Sequence, residues 1–172
     1  MSQPKTLLEM AGADLMPNAL SESALVLIDC QMEYVTGAVP LPGVEAALKE
    51  AGKVLARARD AGAPIVHVVH QGQAGGVFDL DGAGGQIAPD VASAAGETIV
   101  KKGLPNAFAN TELHDKLQQI GAERLIFAGF MTHMCVSASV RAALDPGYRN
   151  TLVSGAAVTR DLPTPSGGVI DA

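Results

Sequence analysis

The sequence predicts an α/β fold of three αβα layers on a mostly parallel sheet. Short apolar runs, including Ala24–Ile28 and Arg124–Ala128, alternate with segments whose apolar residues recur at helical spacing. The runs are continuously apolar, which is typical of parallel strands that helices cover on both faces. Because strand–helix–strand units are right-handed, the carboxyl ends of these strands are expected along one edge of a Rossmann-like sheet.

Composition and charge restrict the partners of the chain. Its 172 residues fit a single domain, residues 1–172, in which residues 1–23 form a weakly patterned N-terminal arm. A net charge of −6 provides no basic surface for nucleic acid, and no apolar run reaches the ~20 residues of a membrane span. Two distant cysteines and no secretory leader favour free thiols and a cytoplasmic protein.

The first half of the chain predicts a strand, a helix and a second strand. Ala24–Ile28 is a buried strand that ends in Asp29, where open α/β sheets place their chemistry. Apolar residues then follow helical spacing over Val44–Ala58, and Gly62 is a suitable stop. Pro64–His70 is the second strand.

Two histidines on the second strand do not predict a metal site. His67 and His70 are three positions apart, so on a strand they point to opposite faces. His70, at the carboxyl end, is expected to line a pocket, and His67 to lie in the core or at an edge. No metal and no cofactor are therefore expected.

A glycine-rich segment, residues 71–89, follows this strand and is expected to be a mobile loop. Its glycines match neither the dinucleotide-binding pattern nor a Walker-type phosphate loop. A flexible lid over a pocket and a plain surface loop both remain open, because composition does not separate them.

The second half of the chain predicts three more strands and two helices. A third strand ends beside Lys102, and Thr111 is a suitable N-cap for the helix that follows. A second helix is expected to begin near Cys135 and to stop at Asp145. The strands are Glu97–Lys101, Arg124–Ala128 and Thr151–Ser154, with a loop-like tail over Gly155–Ala172.

Three strand ends carry groups that could act together: Asp29, Lys102 and Cys135. Cys135 is expected at or just before the first turn of a helix, where free N–H groups and the helix dipole favour a thiolate. Each residue also has an ordinary interpretation. The cysteine can be a small buried residue under a turn, the aspartate a turn former and the lysine a solvated charge.

The set is chemically sufficient for acyl transfer. Asp29 can take the thiol proton and later deliver it to a leaving amine, while Lys102 keeps the carboxylate ionised. Backbone N–H groups of Met131 and Cys135 can hold an oxyanion. A thioester would form and water would hydrolyse it.

The three segments Leu27–Gln31, Val100–Phe108 and Ala128–Val136 resemble, in this order, the isochorismatase-like cysteine hydrolase superfamily, which includes nicotinamidases, N-carbamoylsarcosine amidases and isochorismatases. The resemblance selects Lys102 over Lys101, because it places the lysine six residues before Phe108. It also implies a cis peptide between Phe130 and Met131, ahead of the turn that begins at Thr132. Homo-oligomers, dimers or tetramers, are usual for such proteins.

The sequence also departs from this family. No Asp-x-His metal motif follows Val69, which argues against a zinc-dependent nicotinamidase, and Ser154-Gly155-Ala156 stands where relatives often carry an aspartate. Relatives usually continue into another helix and strand, whereas this chain stops at Ala172. The expectation is a sheet that lacks these last elements and has an uncovered edge or face, so that either a partner subunit covers it or the chain is a truncated form.

The expected function is a cysteine hydrolase that cleaves an amide or related C–N bond of a small-molecule substrate. One alternative is vinyl ether hydrolysis of the isochorismatase type, in which Asp29 protonates the substrate and no thiol is needed. Another is a non-catalytic assembly or binding protein on the same scaffold. The candidate pocket residues are Gln31, His70, Phe78, Phe108 and His133.

Overall fold

The computed structural model describes residues 3–172 and contains a five-stranded parallel sheet of strand order β3-β2-β1-β4-β5. The strands are β1 Ala24–Ile28, β2 Ile65–His70, β3 Thr98–Lys102, β4 Arg124–Phe130 and β5 Arg149–Val158. The predicted fold class is confirmed. Strand order reverses at β1, with β2 and β3 on one side and β4 and β5 on the other. The crevice between β1 and β4 is where sheets of this type bind ligands.

Helices cover both faces of the sheet. The residues of β1 alternate between two cores, with Leu25 and Leu27 facing one and Val26 and Ile28 the other. The first core lies under α2 and the second under α3. None of the helices in residues 3–172 is both long and apolar enough to cross a membrane. The helices are α1 Leu7–Met10, α2 Val44–Asp60, α3 Leu113–Gln119 and α4 Ser137–Ala142.

The C-terminal part of the chain corrects the sequence-based expectation. The fifth strand spans ten residues instead of the four predicted, since small residues beyond Ser154 also pair with the end of β4. The tail expected to be loop-like forms a short antiparallel pair, β6 Leu162–Pro163 and β7 Val169–Ile170. A turn closes this pair, in which the Gly168 N–H donates to Thr164 Oγ1 at 2.8 Å. A strand pair this short has no hydrophobic periodicity, so the sequence gives no signal for it.

The N-terminal arm is attached to the sheet through Asn18. The first two residues of the predicted arm lie outside the described residues, and the rest is mostly irregular around α1. Asn18 is buried, and its Nδ2 donates to the carbonyl oxygens of Leu125, at 3.2 Å, and Arg149, at 2.8 Å. This side chain therefore fixes the arm at the start of β4 and β5.

The glycine-rich segment, residues 71–89, packs against the chain that follows β1. Met32 N–H donates to the Gln86 carbonyl at 2.8 Å, and Glu33 N–H donates to the Gly84 carbonyl at 2.7 Å. The Glu33 carboxylate, itself buried, also accepts the N–H of Phe78 at 3.3 Å. A side chain at Gly84 would meet the Glu33 carboxylate, and side chains at Gly72 and Gly85 would meet the backbone of the segment itself, so these three glycines reflect close packing.

Glu97 connects the α2 layer to the edge of the sheet. Its carboxylate accepts hydrogen bonds from Arg59 Nε of α2 at 2.7 Å and from His67 Nε2 of β2 at 2.8 Å. The hydrogen bond from Arg59 is the largest of the interactions that hold the pKa of Glu97 at about 2. His67 is buried in this cluster, as expected for a core or edge histidine.

We predict that Glu97→Gln lowers the free energy of unfolding at pH 7 by about 1–3 kcal/mol, because charge-assisted hydrogen bonds are lost. Since the folded-state pKa of Glu97 lies below its usual value, its stabilisation is present at neutral pH and fades as pH falls toward about 2. Urea denaturation at pH 7 and pH 3 should show the difference shrinking. The matched control Glu112→Gln removes an exposed carboxylate 3.7 Å from Lys116 and should change little. Equal effects of the two substitutions would contradict this role.

Candidate active site

Asp29 ends the first strand in a turn that buries its carboxyl group. Its N–H continues the parallel ladder by donating to the Val68 carbonyl at 2.9 Å. Its own φ of 50° then takes the chain out of the sheet through the left-handed region, which residues other than glycine seldom adopt. The side chain has no exposed surface. The carboxylate is thus placed at the carboxyl end of the central strand, in a dry environment.

Lys102 reaches this carboxylate from two strands away. It ends β3, in register with His70 of β2, and its side chain is fully buried, whereas Lys101 is exposed. Its Nζ lies 2.7 Å from Asp29 Oδ2, 3.0 Å from His70 Nδ1 and 3.4 Å from Cys135 Sγ. An ammonium group has three N–H donors, and each has one partner here.

Cys135 follows β4 on a single π-helical turn, Thr132–Val136, directly ahead of α4, which confirms its predicted place at or just before the first turn of a helix. The peptide bond between Phe130 and Met131 is cis. The Met131 carbonyl accepts two N–H groups of this turn, those of Met134 at 3.0 Å and Val136 at 3.2 Å. Cys135 is 4% exposed and faces Lys102. Thr132 lines a cleft of about 520 Å³ beside Val158.

Gly129 allows the ends of β1 and β4 to approach closely. It pairs with Ile28 in the sheet and has a φ of 123°. A Cβ at this position would lie 2.7 Å from the backbone nitrogen of Ile28, so no larger residue fits. The close approach brings the residues after each strand, Asp29 and Cys135, to one side of the crevice.

Burial governs the protonation of this site. Desolvation raises the pKa of Asp29 to about 6, even though the charge of Lys102 opposes the shift. Desolvation, and next the negative charge of Asp29, raise the pKa of Cys135 to about 12. Burial thus works against the thiolate expected at Cys135 and outweighs the favourable effect of Lys102. The site holds a neutral thiol beside a carboxylate at neutral pH.

The Asp29 carboxylate is surrounded by groups that favour its ionised form. Lys102 Nζ lies 2.7 Å from Oδ2. The charge of Lys102 and the hydrogen bonds from Lys102 and the Cys135 thiol oppose the rise that burial causes in the pKa of Asp29. The carboxylate and the thiol are thus close enough to exchange a proton.

Two of the candidate pocket residues, His70 and Phe78, lie near Lys102. The His70 ring contacts Lys102, and Phe78 packs edge-on against it with ring centroids 5.1 Å apart. Burial, followed by the charge of Lys102, lowers the pKa of His70 to about 4, so the ring is neutral at pH 7. These two side chains form one wall beside the buried charges.

Three other predicted pocket residues have different surroundings. The assignment of Gln31 to the pocket is wrong, because the side chain is fully buried and its amide accepts the His70 N–H at 2.8 Å and donates to the His70 carbonyl at 3.0 Å. Phe108 packs against Tyr148, and exposed His133 is hydrogen-bonded to Thr159. The structure does not bring these side chains into contact with Lys102.

Two residues near the site escaped the sequence-based prediction. Tyr34 is buried between Phe78 and Phe130, with ring centroids 5.1 Å and 5.9 Å away. Glu33 accepts the N–H of Phe78 and so holds that residue in place. Both lie in a stretch that reads as a loop, and no pattern in it marks them. Among residues 3–172, no three His, Cys, Asp or Glu side chains are grouped so that they could hold a metal ion.

Comparison with known proteins identifies the family. Residues 23–164 match the family model described as the isochorismatase domain. The chain is 38% identical over 143 residues to an uncharacterized isochorismatase family protein of Bacillus subtilis, covering 81% of this chain and 79% of that one. It is 34% identical over 147 residues to a maleamate amidohydrolase of Pseudomonas putida, covering 76% and 69%. The crystal structure of an isochorismatase from Pseudomonas putida has a TM-score of 0.93 at 45% identity, covering 99% and 87%. The chain therefore belongs to the isochorismatase family of hydrolases.

Proposed function

We propose that this protein is a cysteine hydrolase that cleaves a small amide or related C–N bond through a thioester on Cys135. One observation carries the proposal. A single buried ammonium, Lys102 Nζ, lies 2.7 Å from the Asp29 carboxylate and 3.4 Å from the Cys135 thiol. A nucleophile, a base and a fixed positive charge thus share one water-excluded crevice, which is the arrangement that acyl transfer requires.

The first half of the reaction forms the thioester. Asp29 accepts the thiol proton while Cys135 Sγ forms a bond to the carbonyl carbon, and the carbonyl π electrons move to oxygen. The N–H groups of Met131 and Cys135 are the candidate donors to this oxyanion. When the oxyanion collapses, the C–N bond breaks, and protonated Asp29 returns its proton to the departing nitrogen. Ammonia or an amine leaves.

The second half releases the acid. A water molecule gives a proton to Asp29 as its oxygen attacks the thioester carbon. Collapse of the second oxyanion breaks the C–S bond, and the sulfur regains the proton. Lys102 keeps its charge throughout, so it can stabilise both the carboxylate and the sulfur as negative charge moves between them.

The pKa values fit this sequence of steps. A pKa of about 6 leaves Asp29 ionised at neutral pH, yet makes it a stronger base than an ordinary aspartate. The raised pKa of Cys135 keeps the proton on sulfur in the free enzyme, so proton transfer accompanies attack on a bound carbonyl. The maleamate amidohydrolase relative supports an amide as the bond that is cleaved.

We predict that Cys135→Ala lowers kcat/KM for amide hydrolysis at least about 10³-fold, because the nucleophile is lost. Asp29→Asn should have a similar effect. Ammonia release from a panel of short-chain amides provides the measurement, and Cys30→Ala is the matched control, since Cys30 is also a buried free cysteine. Full amide cleavage by Cys135→Ala would overturn the proposal. Cleavage of isochorismate that survives Cys135→Ala but not Asp29→Asn would instead support vinyl ether hydrolysis.

The electrostatic account makes a second prediction, about thiol reactivity. The pH dependence of Cys135 alkylation by iodoacetamide should shift to lower pH in Asp29→Asn, because the carboxylate raises the pKa of this thiol. Lys102→Met should shift it to higher pH, because the ammonium lowers that pKa. Peptide mass mapping gives the rate at Cys135, and exposed Glu112→Gln serves as the control. A shift of Asp29→Asn to higher pH would contradict the assignment.

A further inference from the structure

The contact between Lys102 and His70 determines which nitrogen of the histidine carries a proton. Lys102 Nζ lies 3.0 Å from His70 Nδ1, and an ammonium can only donate. Nδ1 is therefore the acceptor, and the single proton of the neutral ring is on Nε2. The lowered pKa of His70 agrees with a neutral ring.

The ring has little freedom to turn away from this position. Gln31 binds both the N–H and the carbonyl of His70, and Phe78 packs edge-on against its ring with centroids 5.1 Å apart. Among residues 3–172, no group accepts a hydrogen bond from Nε2, and this nitrogen is not among the buried polar atoms without a partner. The half-buried His70 ring thus presents a partly exposed N–H donor beside Lys102.

We propose that His70 Nε2–H is a specificity-determining donor that binds a second acceptor oxygen on the substrate, a carbonyl or carboxylate a few bonds from the scissile amide. This inference rests on the proposed amide hydrolysis and narrows its substrate class. His70 contacts Lys102, and Lys102 contacts Cys135, so the acceptor and the scissile carbonyl must belong to one short molecule. An apolar group at this place would desolvate the N–H without replacing its hydrogen bond, which weakens binding.

Two substitutions separate this role from simple support of Lys102. In His70→Asn, the amide oxygen occupies the place of Nδ1 and can still accept from Lys102, but the donor at the Nε2 position is lost. In His70→Gln, the longer side chain places an amide N–H near the Nε2 position and gives up the contact with Lys102. A residue that only positions Lys102 would be replaced better by asparagine, whereas a substrate donor would be replaced better by glutamine.

The test compares kcat/KM for amides that differ only in the second acceptor. The probes are maleamate against cis-but-2-enamide and succinamate against butanamide, where a methyl group replaces the carboxylate. We expect the wild-type protein to prefer the acceptor-bearing amides, and His70→Asn to reduce that preference by about tenfold or more. His70→Gln should keep it within about threefold. His114→Asn, at a half-buried histidine whose Nδ1 binds Tyr148, is the control and should not change it.

Failure of this inference differs from failure of the proposed function. Equal preference in His70→Asn and the wild type, or equal loss in both His70 variants, overturns the role of His70. If none of these amides is cleaved, the same pairs are tested as protectants of Cys135 against iodoacetamide. Protection by the acceptor-bearing amides that survives His70→Gln but not His70→Asn would uphold the donor role without amide hydrolysis. The absence of any difference in protection would overturn it.

Discussion

The site depends on the contacts that the buried ammonium of Lys102 makes with Asp29, His70 and Cys135. A charge without exposed surface is tolerated in a protein only where partners surround it. Its partners come from β1, β2 and the turn after β4, while the lysine itself ends β3. The ends of four strands must therefore be held in fixed positions. A parallel sheet does this because its strands are closely and regularly spaced.

The exclusion of water from the crevice determines which of its groups carry a proton. Burial raises the pKa of Cys135 to about 12, so the proton stays on sulfur, whereas it raises the pKa of Asp29 only to about 6, so the carboxylate is still ionised at neutral pH. The free site thus contains a base, the Asp29 carboxylate, next to a nucleophile that is still protonated, the Cys135 thiol. A thiol held in this way reacts little with solutes in general, and a bound carbonyl supplies the missing driving force for proton transfer. Lys102 contacts both groups, so its charge can stabilise whichever of them is negative.

The central strands and the three charged or thiol-bearing strand ends could be predicted from sequence, since continuous apolar runs reveal buried strands and parallel strands align their ends. The π-helical turn at Cys135 could not, because the same residues suit an α-helix equally well. The raised pKa of Cys135 depends on burial that only the assembled sheet produces. Gln31 and Glu33 are polar side chains at a predicted strand end and loop, and their bonds to a distant glycine-rich segment have no local signal.

The most direct measurement of the central claim is the mass of the enzyme during turnover. The reaction with the amide that is hydrolysed fastest is quenched in acid within milliseconds, and the intact protein and its peptides are weighed. The account predicts an increase equal to the acyl group minus one hydrogen, located on the peptide that contains Cys135 and removed by hydroxylamine. The contradicting result is a burst of ammonia that precedes the acid while Cys135 stays unmodified at every time.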